Sequence, residues 1–415
     1  MSESTDYDVL IVGGGLVGAS LACSLRASAL RVAVLEAHPL RADDQPSFDA
    51  RTVALSYGSR RIFSAMGLWE AIEAEGVEPI RRIHVSDRGH LGATRLDCRE
   101  QGVEALGYVA ESRVLGKALA AGLAGADNVE LLCPAGLEAL EFHADHVGVR
   151  FVRDGQVQRV TTRLIVAADG GNSTVRRLTG IKAWEVGYGQ TAVIANVVTE
   201  RAHEQVAYER FTDTGPMALL PTRAPAGAEG RCSALVWTVR DAQREAIMAL
   251  DDETFLARLG ERFGHRVGAF ERVSRRHAYP LTLLRVREHV RSRLAIIGNA
   301  AHTLHPVAGQ GFNLGLRDVA VLAQVLVDGA GAGRDPGELE LLREYLRWRR
   351  RDQLQTAVFT DGLVRVFSTG FTPIAALRNA GLVAVDLLPP ARRLLARHAM
   401  GLLGHLPRMG RGLPL

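Results

Sequence analysis

A glycine-rich segment near the start of the chain has the spacing of a dinucleotide-binding site. Gly13-Gly14-Gly15-Leu16-Val17-Gly18 fits the pattern GxGxxG and follows the apolar run Asp8–Val12, which predicts a buried strand. The glycines permit a tight turn, a close approach of the backbone to a pyrophosphate, and close packing of the next helix, whose N terminus supplies free N–H groups. Glu36 ends the next predicted strand, Arg31–Leu35, where its carboxylate can accept a hydrogen bond from a ribose hydroxyl. The pattern predicts a site for FAD or for NAD, held by residues 13–18 and Glu36.

Two later segments place glycine and polar residues directly after predicted buried strands. Asp169-Gly170 follows Arg163–Ala167, and a carboxylate at such a turn can order it through backbone N–H groups. Gly298-Asn299 follows Leu294–Ile297, and Gly309-Gln310-Gly311-Phe312-Asn313 begins a predicted helix. The N terminus of that helix suits a flavin ring, which gains negative charge on reduction.

Histidines and cysteines can also do chemistry, but their spacing argues against a metal site. His302 and His305 have no Cys, Asp or Glu ligand nearby in the sequence, and no two of the four cysteines have the CxxC spacing. We therefore expect no bound metal, and we expect the two histidines to shape their loop rather than to act as bases.

The composition fits a globular enzyme and argues against several other classes of protein. The net charge is only +4, from 50 basic and 46 acidic residues, so a nucleic-acid partner is not expected. No uninterrupted apolar stretch of about 18 residues occurs, and the polar, acidic residues 1–7 are unlike a signal peptide. We expect a cytoplasmic protein that contacts the inner face of a membrane peripherally, if at all.

The spacing of apolar residues predicts an α/β fold in which one sheet interrupts another. A βαβ unit opens the chain, and β-rich segments with turn signals at Gly215-Pro216 and Pro225–Gly230 form a second region. Long helices are predicted at Gln310–Asp328 and Leu339–Ser368. We expect a discontinuous nucleotide-binding domain at residues 1–80, 105–182 and 276–345, a sheet domain at residues 81–104 and 183–275, and a C-terminal helical region at residues 346–415.

Five motifs in this order resemble those of the flavin-dependent aromatic hydroxylases. They are residues 13–18, Phe48-Asp49-Ala50-Arg51, Glu111-Ser112-Arg113, Leu164–Gly170 with Ser173, Arg176 and Arg177, and Ala295–His302 with Pro306, Gly309, Gln310, Gly311 and Asn313. The resemblance spans residues 8–318 and implies a Rossmann-like FAD-binding domain interleaved with a mostly antiparallel β-sheet substrate domain, plus C-terminal helices, as in p-hydroxybenzoate hydroxylase. It also implies that FAD contacts Arg51, Arg113, Asp169, Gly298, Asn299, Pro306 and residues 309–313.

The same resemblance points to one loop for the oxygen chemistry. It implies that His305-Pro306-Val307 and Gly309 face the flavin. Asn299 departs from the family, which usually has an aspartate there that bonds the ribityl chain. Asparagine still offers an acceptor and adds donors, so FAD binding is expected to survive, while the lost negative charge is expected to shift the flavin potential.

Three further segments resemble the ubiquinone-biosynthesis branch of this family: His84–His90, Val193–Val197 and Glu209–Thr212. The branch implies hydroxylation of a polyprenylated phenol of the 2-polyprenyl-6-methoxyphenol type, with NADH or NADPH and O₂, through a flavin C4a-hydroperoxide. Tyr188 and Arg210 are candidates for the base that activates the phenol, whereas Trp237, Phe211 and Met217 are interpreted as core residues.

Three alternatives stay open at this point. One is a hydroxylase of another ring position or of a soluble aromatic compound. Another is a flavin-bound, non-catalytic partner of other ubiquinone-biosynthesis proteins. A third is an NAD-dependent dehydrogenase that uses the N-terminal motif alone.

The C-terminal tail carries the excess positive charge of the chain. Residues 371–415 contain six arginines and one aspartate, so the remainder is close to neutral. Leu395, Ala399, Leu402 and Leu406 have helical spacing and form an apolar stripe. We expect this stripe either to lie on an anionic membrane or to pack against the body of the protein.

Overall fold

The computed structural model describes residues 5–40, 45, 47, 51–224, 227–303, 309–368 and 372–415, with the backbone alone at 357, 360, 363–366, 368 and 372–375. The strands, numbered along the chain, are β1 Tyr7–Val12, β2 Val32–Leu35, β3 Thr52–Ser56, β4 Glu78–Ile80, β5 Arg82–Asp87, β6 Ala93–Asp97, β7 Gly107–Glu111, β8 Val129–Leu132, β9 Gly136–Phe142, β10 Val147–Arg153, β11 Gln156–Ala167, β12 Ala183–Thr199, β13 Val206–Thr212, β14 Gly215–Pro221, β15 Cys232–Arg240, β16 Phe270–Val273, β17 His277–Val286, β18 Val290–Arg291, β19 Leu294–Ile296 and β20 His302–Thr303. The helices are α1 Leu16–Leu25, α2 Tyr57–Ala65, α3 Trp69–Glu75, α4 Ser112–Leu123, α5 Thr174–Thr179, α6 Asp241–Met248, α7 Asp252–Phe263, α8 Gln310–Gly331, α9 Leu339–Ser368, α10 Thr372–Leu387 and α11 Pro389–Ala399.

The first sheet is built on parallel strands in the order β19-β11-β1-β2-β8, and β9, β10 and β18 extend it in antiparallel fashion. Residues 9–12 and 32–35 in its centre expose at most 4% of their surface. Strands that are buried on both faces of a parallel sheet consist of continuous apolar runs, which is the pattern that the sequence shows here. Helix α1 packs against α4 and α8 beside this sheet.

The second sheet is mostly antiparallel and has the order β20-β17-β12-β15-β14-β13-β5-β6, with β16 beside β12. Only the pair β13–β5 is parallel among its described pairings. Helices α6 and α7 cover one face, where Met217 and Trp237 are buried beside Phe255. The interpretation of Met217 and Trp237 as core residues is confirmed.

A small third sheet, β3-β7-β4, lies between the two large ones. The predicted fold class is confirmed: a Rossmann-like parallel sheet alternates along the chain with a mostly antiparallel sheet, and helices follow at the C terminus. The antiparallel sheet reaches further than the expected limit at residue 275, because β17 pairs with β12 from Ala183 to Ile194.

One turn is placed differently from the expectation. Gly215-Pro216 was predicted as a turn, but both residues belong to β14 and pair with Thr212 and Phe211. The turn consists of Asp213 and Thr214, and the Thr212 hydroxyl closes it by donating to the carbonyl of Gly215 at 2.7 Å. A proline is tolerated in the strand here since it lies next to the hairpin turn, where a missing N–H is least costly.

The apolar stripe of the C-terminal tail is not one continuous helical face. Helix α11 ends at Ala399, so Leu402 and Leu406 follow it in irregular structure. Leu395, Ala399 and Leu402 pack against a buried cluster at β6 that includes Leu96 and Leu106. Of the two expected alternatives, this stripe packs against the body of the protein. Within the described part of the chain, no helix combines the length and the apolar character that crossing a bilayer requires.

Candidate functional site

Three of the predicted motifs meet at one edge of the parallel sheet. Strands β1, β11 and β19 are neighbours and run in the same direction, so the loops after them leave the sheet side by side. The backbone joins them: Ala168 N donates to Val12 O at 2.8 Å, and Ile297 N donates to Ala167 O at 3.0 Å. The carboxyl edge of a parallel sheet is where α/β proteins bind nucleotides.

The first glycine loop packs too closely for any side chain at its last position. A Cβ atom added to Gly18 would lie 1.8 Å from the carbonyl oxygen of Gly13. Val17, one residue earlier, fits against Gly298, where an added Cβ would lie 2.9 Å from Val17 Cγ1. The first and last of the five motifs therefore contact each other where the Val17 side chain packs against a glycine.

Glu36 is buried beside the glycine loop at the end of β2. Its two carboxylate oxygens accept hydrogen bonds from Gly14 N at 2.5 Å and from His38 N at 2.8 Å. Each oxygen keeps a further lone pair. The carboxylate can thus orient the loop and still accept a hydrogen bond from a ribose hydroxyl.

Asp169 carries a buried oxygen that lacks a protein partner. Its Oδ2 atom accepts from Val175 N at 3.0 Å, whereas Oδ1 has no hydrogen-bond partner within the described ranges. Burial raises the pKa of this carboxyl group. Buried acceptors are almost always paired in folded proteins, so an unpaired oxygen at this edge is suited to a hydroxyl donor from a bound molecule.

Asn299 presents a second polar group, on the loop next to that of Asp169. It lies exposed on the short 3-10 turn Gly298–Ala300, and its amide bonds to none of the residues that the structure describes. Arg176 holds this turn against the Asp169 loop by donating to Ala300 O at 2.7 Å and also to Gly171 O. Asn299 has donors and an acceptor to offer, which fits the hydroxyl-bearing chain between a pyrophosphate and a flavin ring.

Helix α8 begins where the last motif predicts it. Gly309 occupies the N-terminal cap with a φ of +61° and, as a glycine, has no side chain with which to cap the first N–H groups of the helix. Gln310 is buried there, and the Phe312 ring stacks on Phe63 with centroids 6.4 Å apart. The positive end of the helix dipole is thus available to an electron-rich ring.

The side-chain amide of Asn313 is fully bonded within the protein. Its nitrogen donates to Gly309 O at 2.6 Å and to Ala54 O at 2.8 Å, while its oxygen accepts from Ser56 N and Ser59 Oγ. These four bonds use the full capacity of a side-chain amide. Asn313 thus positions the start of α8 against β3 and α2, and its contact with FAD stays a prediction.

The two arginine motifs are adjacent in space. Ser112 N donates to Arg51 O at 2.8 Å, so Arg51 and Arg113 lie near each other. The Arg51 guanidinium lies 5.3 Å from the centre of the Tyr279 ring, and Arg113 pairs with Glu111. Tyr279 belongs to β17 of the antiparallel sheet, so Arg51 links the small sheet to the antiparallel sheet.

Some predicted residues fall outside the description. Phe48, Asp49 and Ala50 of the first arginine motif, and His305, Pro306 and Val307 of the expected flavin-facing loop, lie outside the described residues. Their proposed contacts therefore stay predictions.

The sequence analysis missed a buried ionic network directly behind this site. Asp318 in α8 accepts from His302 Nε2 at 2.7 Å, from Arg349 Nε at 2.7 Å and from Gln353 Nε2 at 3.0 Å. Burial alone would raise the pKa of Asp318, but the charges of Arg349 and His302 hold it well below its usual range. A lone carboxylate among Leu314, Leu316, Val319 and Leu322 was the available signal, because a charge on an apolar helix face requires a partner.

His302 thus pairs with a buried carboxylate and joins β20 to α8. No group of three potential metal-ligating side chains occurs within the described ranges. By tying β20 to α8 and α9, the His302–Asp318 bond fixes the chain just before the expected flavin-facing loop.

Two other buried histidines make stability depend on pH. Burial lowers the pKa of His289 to about 4, and nearby His302 contributes. Burial also lowers the pKa of His84 to about 4, with a contribution from Arg266. Both values lie below the unfolded value of 6.5, so the unfolded chain binds more protons between pH 6.5 and 4.

We expect the thermal midpoint to fall as the pH is lowered from 7 to 5. Each such histidine contributes a slope of up to about 1.4 kcal/mol per pH unit in this window. His84→Leu should reduce the slope, and scanning calorimetry at several pH values measures it. An identical slope in wild type and variant would contradict this expectation.

The antiparallel sheet has one face toward α7 and one toward the small sheet. Arg210 lies beside Gly264 on the α7 side, whereas Phe211 stacks on Phe367 of α9 with centroids 3.7 Å apart. Adjacent residues of a strand point to opposite faces, so Arg210 is directed away from the flavin-binding region and is a poor candidate for the base. Tyr188 packs near Phe211 and stays a candidate for the base that activates the phenol. Glu209 lies on the same face of the strand as Phe211 and is a further candidate, which the sequence analysis did not name for this role.

Comparisons with known proteins agree with this geometry. The sequence matches the family described as FAD binding domain over residues 6–357. It is 42% identical to the ubiquinone hydroxylase UbiL of Rhodospirillum rubrum over 412 residues, which cover 98% of this chain and 93% of that protein. It is 32% identical to the 3-demethoxyubiquinol 3-hydroxylase of Escherichia coli over 400 residues, which cover 95% and 98%.

A solved structure shares the fold. That of p-nitrophenol 4-monooxygenase PnpA from Pseudomonas putida superposes with a TM-score of 0.77 at 20% identity and covers 96% of this chain and 98% of that one. The family match spans most of the sequence, and the motif loops converge as that family requires. The chain therefore belongs to the FAD-dependent aromatic hydroxylases.

Proposed function

We propose that this protein is an FAD-dependent monooxygenase that hydroxylates the ring of a polyprenylated phenol in ubiquinone biosynthesis, using NADH or NADPH and O₂. The observation that carries the proposal is the buried, unpaired Asp169 Oδ1, with the exposed Asn299 amide on the neighbouring loop, at the edge where three family motifs meet. The names of the relatives, a ubiquinone hydroxylase and a 3-demethoxyubiquinol 3-hydroxylase, support the substrate class.

The residues present fit FAD along the whole edge. Glu36 would accept from the adenosine ribose, and the N terminus of α1 would bind the pyrophosphate. Asp169 and Asn299 would hold the hydroxyl-bearing chain, and the N terminus of α8 would lie at the ring. Bound flavin supplies the activation of oxygen, while the protein orients the phenol, excludes water and takes up the phenol proton.

The ring position belongs to the proposal as well. The resemblance favours a 2-polyprenyl-6-methoxyphenol, whereas the E. coli relative is named for a different position. Both substrates present a phenol ring with a prenyl chain, so the same site chemistry serves either one. A direct assay distinguishes these prenyl phenol substrates from two other outcomes. One is a soluble aromatic substrate, and the other is a non-catalytic role beside other ubiquinone-biosynthesis proteins.

The test uses the purified full-length protein. We expect a yellow protein with the absorbance of oxidised flavin, which consumes NADH or NADPH faster when a short-chain prenyl methoxyphenol is added. Under ¹⁸O₂ the product should carry one labelled oxygen atom. A colourless protein that oxidises an alcohol with NAD would overturn the proposal. A yellow protein that forms no labelled product from any prenyl phenol would indicate the non-catalytic role.

Asp169→Asn tests the FAD contact itself. The variant keeps an oxygen that accepts from Val175 N but loses the second oxygen, which would accept a hydrogen bond from FAD. We therefore expect the FAD dissociation constant to rise roughly 10- to 100-fold, which corresponds to about 1.5–3 kcal/mol. The matched control is Asp127→Asn, at an exposed position far from the motifs in sequence. Titration of apoprotein with FAD, followed by flavin fluorescence, measures both. Equal affinities for the two variants would remove Asp169 from the site.

A further inference from the structure

Helix α10 turns its polar side chains toward the protein. Arg378 Nε donates to Asp87 Oδ2 at 2.7 Å, and Asn379 Nδ2 donates to the same oxygen at 2.9 Å. Asp386, two turns further on, pairs with Arg95 of β6 at 2.6 Å. Leu382 lies between them and packs near Phe211. The charged residues of this helix are thus used to attach it to the edge of the antiparallel sheet.

The opposite face of α10 is entirely apolar and lies in solvent. Leu377 and Leu387 expose 74% and 72% of their surface. The exposed residues of the described part of this helix are Ala376, Leu377, Ala380, Gly381, Val383, Ala384 and Leu387. A surface helix normally has the reverse arrangement, with its apolar stripe inside and its charges outside.

Neighbouring elements extend this face. Leu91, fully exposed between β5 and β6, precedes Gly92, whose N–H donates to Asn379 Oδ1 at 3.1 Å. Leu388 and Leu394 follow α10 and are 55% and 60% exposed. We call the exposed residues of α10, together with Leu91, Leu388 and Leu394, the α10 surface. Apolar patches of this kind mark interaction sites in soluble proteins.

Two cations lie on α11, the helix that follows α10 and contains Leu394. Arg393 and Arg397 of α11 are exposed, and neither forms an ion pair with any residue that the structure describes. Arg392, in contrast, is held by Glu100. An aliphatic surface with unpaired arginines beside it has the composition that inserts into the headgroup region of an anionic membrane. Protein interfaces are instead enriched in aromatic residues and in hydrogen-bonding groups, which the α10 surface lacks.

We propose that the α10 surface binds an anionic lipid membrane, with its leucines among the acyl chains and Arg393 and Arg397 at the headgroups. The inference deepens the proposed function and rests on it in one respect, because a polyprenyl phenol resides in lipid. Helix α10 is attached to β6, the edge strand of the substrate-binding sheet, so membrane contact there brings that sheet to the lipid that holds the substrate.

The test is flotation of the full-length holoprotein with vesicles of phosphatidylcholine, with and without phosphatidylglycerol. We expect binding to the mixed vesicles and at least tenfold weaker partitioning for the double variant Leu377→Ser, Leu387→Ser. Arg393→Gln with Arg397→Gln should remove the preference for the anionic vesicles. Val157→Ser, which alters an exposed apolar residue at the start of β11, is the matched control and should bind as wild type.

Two further measurements separate the outcomes. Hydroxylation of a detergent-soluble short-chain phenol should be as fast in the leucine variant as in wild type. If neither wild type nor the variants hydroxylate this phenol, while wild type still binds lipid, the proposed function is contradicted and the membrane proposal is not. Unchanged flotation of the leucine variant would overturn the membrane proposal. The membrane proposal would also be overturned if wild type bound no lipid and sedimented as a dimer while the leucine variant sedimented as a monomer. That result would assign the α10 surface to contact with a second copy of the chain.

Discussion

Replacing Asp318 with asparagine is expected to destabilise the protein by about 3 kcal/mol, because the buried Arg349 loses one of its two carboxylate partners and keeps only Asp352. Asp318 is fully buried, and the Arg349 side chain that pairs with it is only 4% exposed. Asparagine can replace one hydrogen bond but presents an N–H group where the carboxylate accepted from His302 or Arg349. Thermal denaturation should show a midpoint several degrees lower, together with faster loss of FAD as β20 loosens.

Asp328→Asn is the matched control, because Asp328 lies in the same helix and pairs with Arg408. That pair is largely in solvent, with the two side chains 55% and 30% exposed. Exposed ion pairs contribute about 0–1 kcal/mol, so the midpoint should hardly move. Equal midpoints for the two variants would show that the Asp318 network does not stabilise the fold.

Gly18→Ala is expected to yield a protein without FAD. The new methyl group would lie 1.8 Å from Gly13 O and 3.3 Å from Ala168 Cβ, so backbone rather than a flexible side chain blocks it. The helix must move away from the strand, which displaces the N–H groups that would bind the pyrophosphate. Overpacking of this kind costs about 3 kcal/mol or more, which is roughly a 100-fold loss in affinity.

Gly331→Ala provides the comparison for that variant. Gly331 is the last residue of α8, and an added Cβ would meet open space. Alanine is a better helix former than glycine, so flavin content should equal that of wild type and stability should rise by up to about 1 kcal/mol. Absorbance ratios of the purified proteins measure flavin content, and a fully yellow Gly18→Ala protein would refute the packing argument.

Local patterns predicted the site better than they predicted its support. The turn at Gly13 and the position of Glu36 follow from residues within one βαβ unit, where spacing and strand direction leave little freedom. The partners of Asp318 are 31 and 35 residues away on another helix, and no periodicity identifies which residues of two helices face each other. Asn313 shows the same limit, since three of its four bonds join the start of α8 to residues more than 250 positions earlier.

Tertiary contacts decide what local patterns leave open. Glycine followed by proline is typical of a turn, but at Gly215-Pro216 the pairing with Phe211 and Thr212 overrides that local preference. In the tail, the apolar stripe could lie on a membrane or pack against the body, and Leu395 and Ala399 are covered by the cluster around Leu96. The solvent-facing apolar residues lie one helix earlier, and only the burial of Arg378 and Asp386 reveals which face of α10 is outside.

The position of β1 in its sheet has a consequence for synthesis of the chain. Strand β1, made first, pairs with β11, and β11 pairs on its other side with β19, which ends at Ile296. At about 5–20 residues per second, a ribosome needs roughly 15–60 s to supply that last strand. During this time the nascent sheet has an open apolar edge, and such edges are prone to aggregation. Chains that stop before residue 294 are therefore expected to accumulate as insoluble material, and slower growth or added chaperones should raise the soluble yield of the complete protein.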